Sequence, residues 1–325
     1  MRDAIVAQAY LLAAKRLFGD PNHADWIYER IRRPRSMWVA VANLFYYLLR
    51  QPRICDVTTL QLEPVFACNL RCKYCPGHDA PGRVRPRLMS WEIFRRIVDR
   101  LPPSVEAVQF ALLGEPLLHP DLGEMIKHVH RRGRRAIVYT NGTLLRGDRL
   151  EMLVRSRVDV VNISSEVDAE TSRDIRGVDL DTLRRNVRAF AERKAPDTEI
   201  KLSVVVHEGN VDRVPRLYDS WRGLIEHFKV YPAFYLDAPH PPPVCMELWR
   251  GNLNIWTNGN VSPCCFDPDG ELVIGNVLTE DLAYMIRGPR MTKLLQNVLE
   301  KRPPGRCLRC RRFEGYQKGF HVTWT

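Results

Sequence analysis

From residue 57 to about residue 235, short apolar runs rich in β-branched residues alternate with stretches whose apolar positions recur at helical spacing. The runs Val57–Leu62, Val105–Ala111, Arg135–Thr140, Val158–Ile163, Glu199–Val206 and Glu226–Phe234 predict strands. Ser90–Leu101, Asp121–Arg132, Gly147–Ser156, Asp179–Ala191 and Asn210–Ser220 predict the helices between them. Alternation of this kind predicts a parallel sheet that curls toward a barrel. Ligands of such sheets bind at the C-terminal ends of the strands. Whatever follows the first strand directly therefore lies at the mouth.

The flanking segments read differently. Residues 1–53 are helical and basic, with Ala4–Phe18 at helical spacing and Ser36–Leu49 apolar nearly all round. A bilayer span needs roughly 20 residues, more than Ser36–Leu49 provides. That helix is expected to be buried against the main domain. The alternative is peripheral membrane contact, aided by the flanking Arg32, Arg33, Arg35, Arg50 and Arg53. The proline-rich residues 238–243 mark a linker. Beyond it, Asn252–Trp256 and Asn260–Pro263 flank the turn pair Asn258–Gly259, a hairpin signal, and Asp281–Arg287 and Arg290–Leu299 predict helices. The expected division is a helical extension over 1–53, an α/β barrel over 54–237 and a small domain over 238–325.

Composition narrows the class. With 45% hydrophobic and 27% charged residues in 325, the chain can bury a large core. Its 49 basic and 38 acidic residues leave a formal charge of +11, a field that favours an acidic electron carrier, an anionic membrane surface, nucleic acid or an anionic substrate. The first residues carry no signal-peptide cleavage site, so the chain is expected to be cytoplasmic.

Nine cysteines are present, and they cluster. In a long intracellular chain, clustered cysteines read as metal ligands. Cys68, Cys72 and Cys75 fall within Cys68-Asn-Leu-Arg-Cys72-Lys-Tyr-Cys75, directly after the first strand. Each iron of a [4Fe–4S] cluster normally takes a thiolate, so three ligands leave one iron open. Zinc is the competing reading, with His78 as a fourth ligand. Cys245, Cys264, Cys307 and Cys310 form a second set, which suits either a cluster or a structural zinc. Cys265 can replace Cys264 as ligand or act as a hydrogen-atom donor, and Cys55 reads as a small buried residue.

The CxxxCxxC spacing, with the aromatic Tyr74 before the last cysteine, resembles the radical S-adenosylmethionine (SAM) superfamily over residues 57 to about 235. The resemblance implies a partial (β/α)6 barrel, with SAM chelated on the open iron and split by one electron into methionine and a 5′-deoxyadenosyl radical. Leu113-Gly114-Glu115-Pro116 is similar to the family's GGEP segment, which receives the methionine amino group, although Leu113 replaces its first glycine. Glu115 is then the ammonium acceptor, and Gly114 lets the ligand approach the backbone. Thr140 and Asn141 lie in a Tyr-Thr-Asn-Gly run usual in the family. Asn162 and Ser164 fall where the family commonly contacts the ribose, and Arg176 resembles the arginine that pairs with the SAM carboxylate.

The second cysteine set, with Gly275-Asn276-Val277 and the Trp249 region, resembles the twitch domain, the shortened form of SPASM. The resemblance implies a second [4Fe–4S] cluster with every iron protein-bound, serving as an electron relay. The expected function is radical SAM oxidation of an alcohol-bearing carbon in a small molecule, with flavodoxin or ferredoxin as electron donor. Redox-neutral epimerisation of a sugar-like substrate, with Cys265 as hydrogen donor, is one alternative. Maturation of a ribosomal peptide is another, although residues 1–53 lack the strands of a winged-helix peptide-recognition module. A zinc-ribbon-like nucleic-acid-binding protein would use the basic run Arg306–Lys318, but leaves the strand–helix alternation unexplained. No nucleic-acid partner is therefore expected.

Overall fold

The computed structural model of the chain describes residues 34–75, 87–206, 210–232, 244–308 and 310. The helix expected over Ala4–Phe18, Arg32 and Arg33, His78, the linker 238–243 and the tail beyond Cys310 lie outside the described residues.

The strands in chain order are β1 (Thr59–Leu62), β2 (Val65–Phe66), β3 (Arg87–Leu88), β4 (Ala107–Phe110), β5 (Arg135–Thr140), β6 (Val160–Ser165), β7 (Glu199–Val206), β8 (His227–Pro232), β9 (Asn252–Ile255), β10 (Asn260–Ser262) and β11 (Gly275–Asn276). Strands β1, β4, β5, β6, β7 and β8 lie side by side, each parallel to the next. Helices Trp91–Val98, Leu122–Arg131, Gly147–Ser156, Leu180–Ala191 and Val214–Trp221 form the connections. This is the expected α/β arrangement of a partial barrel.

Alternation along each strand gives the two faces opposite characters. Leu60, Leu62, Phe110, Val138, Ile163 and Leu202 point outward and are buried beneath the helices. Each helix contributes one apolar stripe to that layer. Helix Trp91–Val98, for example, is capped by the Ser90 hydroxyl, which accepts from the Ile93 amide, and buries Phe94, Ile97 and Val98. Gln61, Gln109, Tyr139, Asn162, Ser164 and Ser203 occupy the other face. Two of its cross-strand pairs are direct: the Gln61 amide donates to the Gln109 side-chain oxygen at 3.0 Å, and the Ser203 hydroxyl donates to Asn162 Oδ1 at 2.7 Å. The core therefore sits outside the sheet, and the concave face is polar.

The C-terminal segment adds strands to this sheet. β9 pairs in parallel with the free edge of β1, with Leu60 opposite Leu253, and β10 and β11 follow antiparallel, which makes a continuous nine-stranded sheet. The hairpin forms where expected. Gly259 takes φ +84° and its amide donates to Trp256 O at 2.8 Å.

Helix Pro34–Leu48 departs from the expectation of burial all round. Ser36, Ala40 and Asn43 are buried, and Asn43 ties the chain by donating to Asp56 O and accepting from the Cys55 amide. Tyr47 packs edge-on against Trp249 at 5.7 Å. On the other face Trp38 is 72% exposed and Phe45 58% exposed, so only one face of this apolar helix is packed. Cys55 is half-buried rather than buried. Among the described residues no helix is long and apolar enough to cross a membrane.

Candidate functional site

The loop after β2 carries Cys68, Cys72 and Cys75 to the C-terminal end of β1, where β4 and β5 also end. All three cysteines are half-buried and outside any disulfide. The Cys75 amide donates to Cys72 O at 3.1 Å, which turns the loop back on itself. Burial pushes the Cys72 thiol above its ordinary value, the Arg176 guanidinium pulls it down, and Cys75, Cys68 and Glu166 push it further up. The three sulfurs therefore share one electrostatic environment with Arg176.

Gly114 sits in this mouth for a reason different from the one expected. A Cβ on it would lie 1.7 Å from the Val65 carbonyl oxygen, so what approaches its backbone is the chain's own β2. The Glu115 amide then donates to Ala67 O at 2.8 Å and stitches this loop to the cysteine loop. Just before it, Leu112 carries φ +78°, a left-handed backbone at a bulky residue, while Leu113 stands where the family motif has glycine. Gly114→Ala is expected to force the two loops apart and cost about 3 kcal/mol, the upper end of overpacking. A melting temperature equal to wild type would contradict that contact.

Glu115 is buried and its carboxylate is already held. Oε1 accepts from the Thr140 hydroxyl at 2.7 Å and the Leu117 amide at 3.1 Å, and Oε2 accepts from the Asn141 amide at 2.8 Å. A carboxylate has roughly four acceptor positions, so one on Oε2 remains. Burial pushes the carboxyl up to about 6, against the pull of these bonds. Pro116 opens the short helix Pro116–Leu118 that Glu115 caps.

Asn141 extends the network to the metal loop. Its Nδ2 donates to Cys68 Sγ at 3.7 Å and to Asn69 Oδ1 at 3.0 Å. Asn69 in turn donates to Thr143 Oγ1 at 2.7 Å, and the Thr143 hydroxyl donates to Asn141 Oδ1 at 2.6 Å. Asn69 and Thr143 were not among the sequence candidates. Asn69 lies inside the cysteine motif, and Thr143 directly follows the Tyr-Thr-Asn-Gly run.

Further round the mouth, Arg176 ends helix Ala169–Arg176 and donates from Nε to Glu166 Oε1 at 2.6 Å, in a pair with 16% and 5% side-chain exposure. Glu166 was also missed, because a lone glutamate after a strand carries no spacing signal. The Lys73 amide donates to Ile175 O at 2.9 Å and its side chain pairs with Asp174, which docks the cysteine loop on the same helix. On the concave face, buried Asn162 has no partner for its Nδ2. Ser164, on the same strand face, is half-buried, and Tyr74 is 70% exposed.

The second cysteine set lies on the C-terminal segment. Cys245 caps the turn Met246–Trp249, Cys264 and Cys265 follow β10, and Cys307 lies on helix Gly305–Leu308 with the Cys310 amide donating to its carbonyl at 3.2 Å. Cys264 and Cys307 both pack against the main core. Burial pushes the Cys307 thiol up to about 12, with Cys310, Asp267 and Glu271 adding to it. Arg306 alone pulls the other way, so a metal would supply the further positive charge these crowded groups call for.

Among the described residues no three His, Cys, Asp or Glu side chains converge as one metal ion would require. Thiolates about 2.3 Å from a single zinc lie within about 3.8 Å of one another. A four-iron cluster puts each thiolate on its own iron and so holds them farther apart.

Residues 62–219 match the family model of the radical SAM superfamily, and residues 245–311 match that of SPASM, an iron–sulfur cluster-binding domain. The chain carries a radical SAM domain followed by a SPASM iron–sulfur domain. Its two matched regions are those of SAM and iron–sulfur binding. Among curated proteins, the chain is 30% identical over 170 residues to a tungsten-containing aldehyde ferredoxin oxidoreductase cofactor-modifying protein of Pyrococcus furiosus, covering 49% of this chain and 46% of that protein. It is 26% identical over 172 residues to a PqqA peptide cyclase of Streptomyces rochei, covering 53% and 46%. The chain spans about half the length of the curated relatives it matches. In fold it resembles Streptococcus suis SuiB bound to the precursor peptide SuiA, with a TM-score of 0.61, 15% identity, and coverage of 85% of this chain and 73% of that one. The parallel sheet and C-terminal domain of this radical SAM chain are thus the family's architecture.

Proposed function

We propose that Cys68, Cys72 and Cys75 hold a [4Fe–4S] cluster with one iron open to SAM, and that Cys245, Cys264, Cys307 and Cys310 hold a second, fully ligated cluster of the twitch kind. When bound, the first cluster with SAM supplies one-electron cleavage of a carbon–sulfur bond and a hydrogen-abstracting radical, and the second supplies an electron sink. Glu115, through its remaining Oε2 position, accepts the SAM ammonium, while Thr140 and the Asn141 amide keep the carboxylate from turning away. Gly114 and Pro116 shape that loop. Arg176, oriented by Glu166, takes the SAM carboxylate. Asn162 Nδ2 and Ser164 meet the ribose hydroxyls, and Tyr74 is the aromatic available to stack on the adenine.

The carrying observation is one connected network: Cys68 Sγ to Asn141, and Asn141 to Glu115. It ties the thiol loop to the one buried carboxylate of the Gly-Glu-Pro segment. The reading predicts 5′-deoxyadenosine from SAM and dithionite in anaerobically reconstituted protein, and its complete absence would overturn it. It also predicts a pH dependence. Glu115 titrates at about 6, and a carboxylate receives an ammonium only when ionised. SAM affinity is therefore full above that value and falls as pH drops through it, approaching about tenfold per unit. Equilibrium dialysis between about pH 5 and pH 8 reads this out, and a flat profile would place the ammonium elsewhere.

The reaction fits oxidation of an alcohol-bearing carbon in a small molecule, since a sealed second cluster is useful mainly for taking an electron. Maturation of a peptide is the second reading, supported by the match to PqqA peptide cyclases and the likeness to SuiB with its precursor peptide. Epimerisation would instead use Cys265, which stands beside Cys264, as hydrogen donor. The +11 charge suits an acidic one-electron donor such as flavodoxin or ferredoxin.

A further inference from the structure

A cavity of about 140 Å³ opens between the mouth of the sheet and the C-terminal hairpin, bounded by Glu63, Leu113, Trp256, Thr257 and Asp267. Every wall belongs to the functional end of the fold. Glu63 follows β1, Leu113 precedes Gly114, and Trp256 and Thr257 follow β9, the strand parallel to β1.

The wall is acidic and incompletely bonded. Glu63 and Asp267 are each 1% exposed. Glu63 Oε2 accepts from the Thr257 amide at 3.3 Å, and the Leu113 amide and Thr257 side chain also favour its charge, while Oε1 makes no hydrogen bond of full geometry among the described residues. Asp267 Oδ2 accepts from the Ser262 hydroxyl at 2.9 Å and the Leu272 amide at 3.0 Å, while Oδ1 has none. The buried Trp256 Nε1 also lacks an acceptor. Two other charges reach the cavity but are engaged. Asp269 pairs with Arg306 at 3.7 Å, and the exposed Arg87 lies over the Phe66 ring at 4.7 Å. Two carboxyls thus line one small space; the cations acting on them among the described residues are the exposed Arg87, on Glu63, and Arg306, 11% exposed, on Asp267. Burial pushes the Glu63 carboxyl up to about 7, against the pull of bonds from Thr257 and Leu113 and of the Arg87 charge. A buried carboxylate is disfavoured, and a cation in the cavity would offset that.

We infer that this cavity is a subsite for a positively charged nitrogen group, a primary ammonium or guanidinium, whose protons bond Glu63 Oε1 and Asp267 Oδ1 while a neighbouring acceptor meets Trp256 Nε1. The volume takes one such head with its stem and not a whole substrate, so it fixes an end of the molecule whose other part lies at the thiol loop. The substrate class is then a cationic amine or guanidine. Assigning the cation to the substrate rests on the radical SAM reading, but its binding does not.

The test titrates methylguanidinium and ethylammonium into the full reconstituted chain, following tryptophan fluorescence and heat, with N-methylurea as the neutral control. At least one cation is expected to saturate and to outbind N-methylurea about tenfold. Glu63→Gln and Asp267→Asn should each weaken it about tenfold or more, with wild-type iron content and melting temperature retained. Asp267 also braces the turn through Ser262 and Leu272, so Glu63→Gln, whose Oε1 makes no hydrogen bond of full geometry among the described residues, keeps the test decisive if Asp267→Asn fails to fold. Absence of saturation, equal binding of N-methylurea, or unchanged affinity in Glu63→Gln would overturn the subsite. 5′-Deoxyadenosine formation measured on the same protein without any amine reads the SAM chemistry separately, so either can fail alone.

Discussion

Replacing Cys68, Cys72 and Cys75 together by alanine is expected to lower iron from about eight to about four per chain and to abolish 5′-deoxyadenosine formation. The reason is local. The triplet is held by one turn, with the Cys75 amide on Cys72 O, and by two docking contacts, Asn141 on Cys68 and Lys73 on Ile175. The Asn141–Cys68 contact goes with its sulfur, but the backbone turn, the Lys73 bond and the Asn141–Asn69 bond need none of the three sulfurs. The loop should therefore keep its path in the variant, and the loss should be of ligation alone. The second set lies beyond the β1–β9 pairing, on other elements, and should keep its iron. Iron near four in the intact protein with stoichiometric zinc would remove the second cluster, and unchanged iron in the variant would misplace the first.

Replacing Cys307 and Cys310 is expected to leave SAM cleavage largely intact while product formation collapses. Both cysteines lie on or beside helix Gly305–Leu308, and half-buried Cys307 packs against the core. A labelled substrate would still deliver deuterium into 5′-deoxyadenosine. If Cys265 instead returns a hydrogen atom, Cys265→Ala stops turnover, and wild-type product formed in heavy water gains one deuterium at carbon. Loss of SAM cleavage in a still-folded Cys307/Cys310 variant would contradict both patterns and indicate a relay feeding the first cluster.

Which parts of this protein the sequence made legible follows from the range of the forces involved. Strands Arg135–Thr140 and Glu199–Val206 and helix Gly147–Ser156 occur with the predicted bounds, because burial on one face writes a period of two or 3.6 into the chain. Helix Ala169–Arg176 was missed, since among its residues only Ser172 is buried and the polar remainder shows no stripe. The short strands β2 and β3 were missed as well, being two residues each. The cysteines and the Gly-Glu-Pro segment were visible as spacing. The reason for Gly114 was not, because the Val65 carbonyl that fills its place is a contact between segments some fifty residues apart. Glu63 and Asp267 were invisible for the same reason. Each is an ordinary acidic residue until the sheet brings β1 beside β9.

That pairing also bears on motion. Enzymes that close around a substrate commonly do so by hinging one body against another, which requires a seam with few bonds across it. Here no such seam separates the barrel from the strands that lead to Cys264, because Thr59 through Leu62 are in register with Asn252 through Ile255. Neighbouring strands lie about 4.8 Å apart and their amides protect one another. Hydrogen exchange in β1 and β9 should therefore proceed by one shared opening. The separation between the thiol loop and the hairpin end is then a property of the sheet, unaltered by whether substrate is bound, and any gating must come from the loops rather than from rotation of the small domain.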